Sequence, residues 1–269
     1  MSSTNSYIRK LIDTDVLREP VIRSVVKALK LPATSEGLDV GCGIGLQTLL
    51  LCEEIGPDCH VTGLDISSEF LKYASEVIGK SGKANQISLK QGDFNNLPFE
   101  DNRFDWVWSM DCAGYATGNK YRTIKELARV IKPGGTLAIA AWSSQQLLPG
   151  YPLLEAKLNT TYSGILPFRQ GNNPDEHFFR ALGWFREAGL VERRAMAFAG
   201  SVHAPLTDDI RKSLISLIGM RWENVESELS QKEKDLFRLL TDPESPEFIL
   251  NLKDYYAFFT YSLFYGNTT

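Results

Sequence analysis

Gly41, Gly43 and Gly45 alternate directly behind the short run Gly37-Leu38-Asp39-Val40, and an amphipathic stretch opens at Leu46. Glycines at this spacing remove the Cβ atoms that would hold a ligand away from the backbone, and they permit φ > 0 where a strand turns sharply into a helix. Such a loop suits a nucleotide-type cofactor. Twenty residues past Gly45 stands Asp65, in Val61-Thr62-Gly63-Leu64-Asp65-Ile66. A carboxylate ending a second strand can accept hydrogen bonds from both hydroxyls of a ribose. The spacing departs from G-x-G-x-x-G because position 46 is leucine, and Asp39 adds a carboxylate at the loop. That charge repels a pyrophosphate and favours a nucleoside carrying a cationic amino acid.

Two further motifs follow in order: Gln91-Gly92-Asp93-Phe94 with Leu97-Pro98-Phe99, then Arg129-Val130-Ile131-Lys132-Pro133-Gly134-Gly135-Thr136-Leu137. With Leu38 to Gly45 and Gly63 to Ser67 before them, the chain resembles the class I S-adenosylmethionine-dependent methyltransferases. Within these it resembles the small-molecule type that includes ubiquinone and menaquinone biosynthesis enzymes. The resemblance covers about residues 20–142. It implies S-adenosylmethionine as cofactor and methyl transfer to a small molecule by in-line displacement, with no metal.

The resemblance also implies roles for individual residues. Gly41, Cys42, Gly43 and Gly45 lie against the methionine and ribose portions of the cofactor, and Asp39 meets the ammonium group. Asp65 holds the ribose hydroxyls, Ile66 lies on the adenine face, and Asp93 with Phe94 contacts the adenine. Each carboxylate has a structural alternative: a turn or cap for Asp39, a helix N-cap for Asp65 and a turn for Asp93. Ser109 and Met110 end the fourth strand beside the methyl group. Asp111 and Tyr115 are the candidates for touching the acceptor, as a base or an orienting partner, against a capping aspartate and a packed tyrosine. Asp105 begins that strand and is assigned to structure. Ser109-Met110-Asp111-Cys112 departs from the Asn/Asp-Pro-Pro-Tyr/Phe motif that grips a flipped base, which argues against nucleic-acid substrates. His60, His177 and His203 read as surface or packing residues, with His177 or His203 able to enter the pocket through a lid. The aromatic run from Tyr255 to Tyr265 reads as strand packing, with a cage for a cationic acceptor as the alternative.

The elements needed to position these residues alternate. Strands are predicted at 38–41, 60–65, 86–91, 104–109 and 135–142, and helices at 16–30, 46–55, 67–80 and 119–131. Alternation of this kind gives a parallel sheet with helices on both faces, whose strand ends meet at one edge. Beyond it the pattern predicts helices at 153–162 and 175–188, a strand at 190–202, helical residues over 207–240 and a last strand at 254–265. Pro20 is placed in the first turn of its helix, and residues 1–15 form either a short helix over the cofactor or a frayed terminus. The fold class is thus α/β: a Rossmann-like, mostly parallel seven-stranded sheet with helical lid insertions. The resemblance places the last strand antiparallel between strands five and six. One domain over 1–269 is expected, its core at about 16–142 and 175–269 and its lid-like insertions at about 143–175 and 207–250.

Composition narrows the classes. A net charge of −4 argues against a nucleic-acid footprint, and four cysteines without C-x-x-C spacing suggest neither zinc nor a disulfide framework. No apolar run is long enough to span a bilayer and the start of the chain lacks an apolar signal region, so a cytoplasmic enzyme is expected. Two rivals remain: a methyltransferase-like binding protein without turnover, and an NAD-dependent dehydrogenase. The acceptor and the oligomeric state have no signal.

Overall fold

The computed structural model describes residues 3–115, 119–165 and 174–269. A seven-stranded sheet runs in the order β3-β2-β1-β4-β5-β7-β6. Its strands are β1 (Ser35–Val40), β2 (Cys59–Asp65), β3 (Ile87–Gln91), β4 (Phe104–Met110), β5 (Ile131–Gln146), β6 (Val191–His203) and β7 (Tyr256–Asn267). The chain divides into two compact units. β5, β6, β7 and the first helix α1 (Ser3–Leu29) each pass through both.

The larger unit comprises Ile22–Trp142, Gln170–Phe198 and Tyr261–Thr269. β1 pairs in parallel with β2 and β4, β2 with β3, and β4 with β5. Gly134 and Gly135 exchange backbone hydrogen bonds with Thr268, and Gly266 lies against Leu190 and Val191. Successive strand residues face opposite sides, which shows how β1 is covered. Leu38 and Val40 join a core with Ile124 and Leu127 of α4 (Lys120–Arg129) and Trp184 and Phe185 of α7 (Ala181–Glu187). Asp39 faces the other way and is bonded by Thr48 of α2 (Leu46–Ile55). Helices therefore cover both faces. Gly37 is required by close approach, since a Cβ there would sit 1.9 Å from the Trp106 ring. α3 (Ser68–Lys80) starts at the Ser67 cap and α4 at the Asn119 cap.

The smaller unit comprises Met1–Val21, Ser143–Arg169 and Ala199–Thr260. It holds the first part of α1, with α5 (Pro152–Thr160), α6 (Tyr162–Ile165), α8 (Asp208–Arg221) and α9 (Gln231–Thr241). The fully buried Glu155 accepts the N–H groups of Leu147 (2.8 Å) and Leu148 (3.0 Å). Tyr255 donates to the Leu147 carbonyl at 3.0 Å, and within this unit Ser143 and Thr260 meet at 2.9 Å across β5 and β7.

Several boundaries differ from expectation. Residues 3–29 form one helix, with Pro20 inside it and no separate N-terminal element. The segment 175–188 opens as two 3-10 turns, Pro174–Glu176 and Phe178–Arg180, because the His177 ring caps the second through Nδ1, and α7 starts only at Ala181. The helical stretch at 207–240 is broken where Asn224 takes φ 59 and Ser230 caps a new helix with a capping box. Part of the expected insertion at 143–175, residues 166–173, lies outside the described residues.

Candidate active site at the carboxyl edge of the sheet

Strand order reverses between β2-β1 and β4-β5, so the loops leaving β1 and β4 stand side by side at the switch point. Gly41, Gly43 and Gly45 have φ of 76, 54 and 81. Gly41 and Cys42 donate to the Leu64 carbonyl at 2.8 and 3.0 Å, tying the loop to the end of β2. A Cβ on Gly41 would lie 2.3 Å from Cys112 Sγ, whereas one on Gly43 would meet nothing within 4 Å. The loop is therefore backed by protein at Gly41 and open at Gly43.

Asp65 fixes this loop from the side. Its Oδ2 accepts the Gly43 N–H at 2.9 Å and its Oδ1 the Ser67 N–H at 2.8 Å. An ionised carboxylate has about four acceptor positions, so each oxygen keeps one for a ligand. Ser67, rather than Asp65, is the N-cap of α3, through Phe70 N–H. The next residue, Ile66, is 69% exposed, an apolar side chain presented to solvent next to the loop. Asp39 is 1% exposed, and Thr48 Oγ1 donates to its Oδ2 at 2.7 Å. Burial pushes the Asp39 carboxyl up to about 7, the Thr48 hydrogen bond opposing and the charge of Asp65 adding to the rise.

At the end of β4, the buried Ser109 donates to the Val40 carbonyl (2.9 Å) and accepts the Ala113 N–H (3.1 Å), clamping β4 to β1. Met110 is buried beside it. Asp111 takes φ 50, a left-handed conformation that aspartate tolerates better than most residues. Its Oδ1 accepts the Trp142 N–H at 2.9 Å and the Tyr115 hydroxyl at 3.1 Å, and its Oδ2 the Tyr261 hydroxyl at 3.4 Å. Tyr115 also lies 2.9 Å from the Trp142 carbonyl, and Trp142 and Tyr261 meet edge to face with centroids 5.4 Å apart. Sequence reasoning brought Asp111 and Tyr115 together and missed Tyr261 and the Trp142 backbone. Burial pushes the Cys112 thiol up to about 12, and the charges of Asp65, Asp39 and Asp111 push the same way.

Asp93 is exposed, and its Oδ1 accepts both the backbone (2.8 Å) and side-chain (3.1 Å) N–H groups of Asn95, which makes it the start of a tight turn. Phe94 packs against the core. Arg129 holds this loop through the carbonyls of Leu97 (3.2 Å) and Phe99 (2.9 Å). Asp105 accepts from Glu36 N–H at 2.7 Å and Lys132 Nζ at 2.8 Å, the structural role expected. Among the histidines, His60 bonds Ser88, His177 caps a turn and His203 contacts the Ala204 carbonyl.

Three carboxylates, an open glycine and an exposed apolar side chain at one sheet edge fit a cationic nucleoside better than a pyrophosphate. The Methyltransferase domain family matches residues 38–139. A demethylmenaquinone methyltransferase of Staphylococcus carnosus is 34% identical over 200 residues, 68% of this chain and 78% of the relative. Its namesake from Listeria monocytogenes serotype 4b is 36% identical over 197 residues, 68% of this chain and 81% of the relative. Among solved structures, a SAM-dependent methyltransferase of Aquifex aeolicus, 24% identical, has a TM-score of 0.51 and covers 71% of this chain and 89% of its own. Ordered motifs, strand order and relatives matched over most of their length agree: the chain belongs to the class I S-adenosylmethionine-dependent methyltransferases that act on small molecules.

Proposed function

We propose that the carboxyl-edge cluster holds S-adenosylmethionine and orients a small acceptor in line with its methyl group. The observation that carries the assignment is Asp65, which fixes the glycine loop through Gly43 while keeping acceptor positions for ribose hydroxyls. When bound, the cofactor supplies an electrophilic methyl group on a cationic sulfur. The chain's part is to bind, align and keep water out.

In this reading Gly41, Cys42, Gly43 and Gly45 let the backbone approach the ligand, and Asp39 faces its ammonium group. Ile66 lies on the adenine, and Asp93 and Phe94 border it. Ser109 and Met110 shape the floor near the reacting atoms. Asp111 acts as an orienting group rather than a free base, because its two oxygens accept from Trp142, Tyr115 and Tyr261. By name the curated relatives act on demethylmenaquinone, and a quinone-type or phenolic acceptor is the class we infer. The 143–175 and 207–250 segments are treated as insertions in a single methyltransferase domain. The relatives favour neither a dehydrogenase nor a binding protein without turnover. No helix among the described residues is long and apolar enough to cross a membrane, and a cytoplasmic location accords with four free cysteines.

Calorimetry with S-adenosylhomocysteine and NAD, followed by turnover of S-adenosylmethionine with phenolic acceptors, tests the proposal. Binding of S-adenosylhomocysteine and not of NAD is expected, with S-adenosylhomocysteine formed in the turnover assay. NAD affinity without a response to S-adenosylhomocysteine would overturn the reading.

A further inference from the structure

Lys120, the first residue of α4, is the one buried lysine among the described residues, 5% exposed. Its ammonium nitrogen has no hydrogen-bond partner among them. Burial of an unpaired cation costs several kcal/mol on the order of a broken buried ion pair. The amino end of a helix carries partial positive charge, so a cation in its first turn adds repulsion. A surface role is excluded by the burial. The Trp184 ring, 5.5 Å from Nζ, offsets part of this cost through its π face.

Burial pushes Lys120 down to about 8, while Glu176 and Cys112 pull upward. Cys112 is the residue whose sulfur backs Gly41 of the cofactor loop; Asp111 precedes it and Tyr115 follows three residues on. Glu176 makes no hydrogen bond to the Lys120 ammonium. Trp184, whose ring the ammonium overlies, shares one core cluster with Ala113, and Tyr115 of the loop that we assign to the acceptor packs against that cluster. The ammonium is a donor of up to three hydrogen bonds with none spent among the described residues.

We propose that Lys120 is a specificity-determining residue which binds an anionic oxygen of the methyl acceptor. The inference rests on the methyltransferase reading and adds to it: the acceptor is selected as an ionised hydroxyl or a carboxylate, and a neutral acceptor of equal shape is rejected. An acceptor anion supplies the missing hydrogen bonds and offsets the buried charge. A neutral acceptor leaves both unmet, and such unpaired groups are what gives polar sites their selectivity.

The test uses the full chain saturated with S-adenosylhomocysteine and three probes: 4-nitrophenolate, benzoate and neutral 4-nitroanisole. The wild type is expected to bind one of the anions about tenfold to a hundredfold more tightly than 4-nitroanisole, as an ionic hydrogen bond implies. Preference for nitrophenolate assigns the oxygen to a hydroxyl, and preference for benzoate to a carboxylate. Lys120→Met is expected to abolish the preference while leaving S-adenosylhomocysteine affinity and thermal stability undiminished, and Lys120→Arg to keep most of it. Lys120→Gln carries the same test should the methionine variant fail to fold. An undiminished anion preference in the neutral variants, or no preference in the wild type, overturns the proposal. So does loss of S-adenosylhomocysteine binding in parallel, which would assign the ammonium to the cofactor or to folding. Failure of the wild type to bind S-adenosylhomocysteine at all would instead overturn the methyltransferase reading beneath it.

Discussion

Asp65 braces the glycine loop through the Gly43 and Ser67 N–H groups, and the proposed function gives the same carboxylate the ribose hydroxyls. Asp65→Ala removes the acceptors of Gly43 and Ser67 N–H as well as those offered to a ribose. Weaker S-adenosylhomocysteine binding by about 1 to 3 kcal/mol is expected by calorimetry, with the fold retained. Normal binding would leave Asp65 as a brace for the loop alone. Asp39 gives a pH signature. Its carboxyl ordinarily titrates at 3.8 and in the fold at about 7. Between those values the folded state binds more protons than the unfolded one, so stability falls as pH rises through this window. A ligand ammonium favours the carboxylate against burial and the nearby Asp65, so binding should release a proton below neutrality and tighten as pH rises toward about 7. Calorimetry in buffers of differing ionisation enthalpy should show that proton in the wild type and not in Asp39→Asn. The placement of these two aspartates at the glycine loop was legible because each sits at a fixed offset from the glycines along one βαβ segment. Tyr261 was not: 150 residues separate it from Asp111, in a run where alternate aromatics fill the core. The Trp142 N–H is a backbone group and leaves no mark on residue type.

Elements whose periodicity is set by their own residues were read closely, as for α2 and α3, while those fixed by caps or neighbours drifted. Nothing local marks the long β5 beyond 135–142, since its ladder is completed by β7 from the far end of the chain. α7 shortened because His177 spends its ring on a turn, a choice invisible in the helical spacing of 175–188. The loop element also separates fold from function in a testable way. Gly41→Ala places a Cβ 2.3 Å from Cys112 Sγ at φ 76, combining overpacking with left-handed strain. A loss of roughly 2 to 5 kcal/mol in stability is expected from the two together. Gly43→Ala meets no protein atom within 4 Å, so its cost should be confined to the backbone term of roughly 1 to 2 kcal/mol. That open space is the space proposed for the ligand. Gly43→Ala should therefore stay folded yet bind S-adenosylhomocysteine at least about tenfold less well. Denaturant unfolding beside calorimetry would show this, and equal binding in the variant would move the cofactor away from the loop.

At the scale of the whole molecule, the two compact units are not successive stretches of chain. α1, β5, β6 and β7 run through both, so a unit that melted alone would leave half-strands with unpaired backbone groups in three places. One cooperative transition is expected. Four of the five tryptophans, Trp106, Trp108, Trp142 and Trp184, lie in the larger unit and Trp222 in the smaller. A Trp222→Phe variant therefore reports the larger unit by fluorescence while far-ultraviolet circular dichroism reports the helices of both. Coincident midpoints are expected on heating the variant. S-adenosylhomocysteine at a hundred times its Kd adds about 2.7 kcal/mol to the folded state and should raise both midpoints together by roughly 5 °C. The site residues all belong to the larger unit, which makes the shared shift informative. A ligand that moved the fluorescence transition and left part of the dichroism change behind would show that the shared strands do not couple the units.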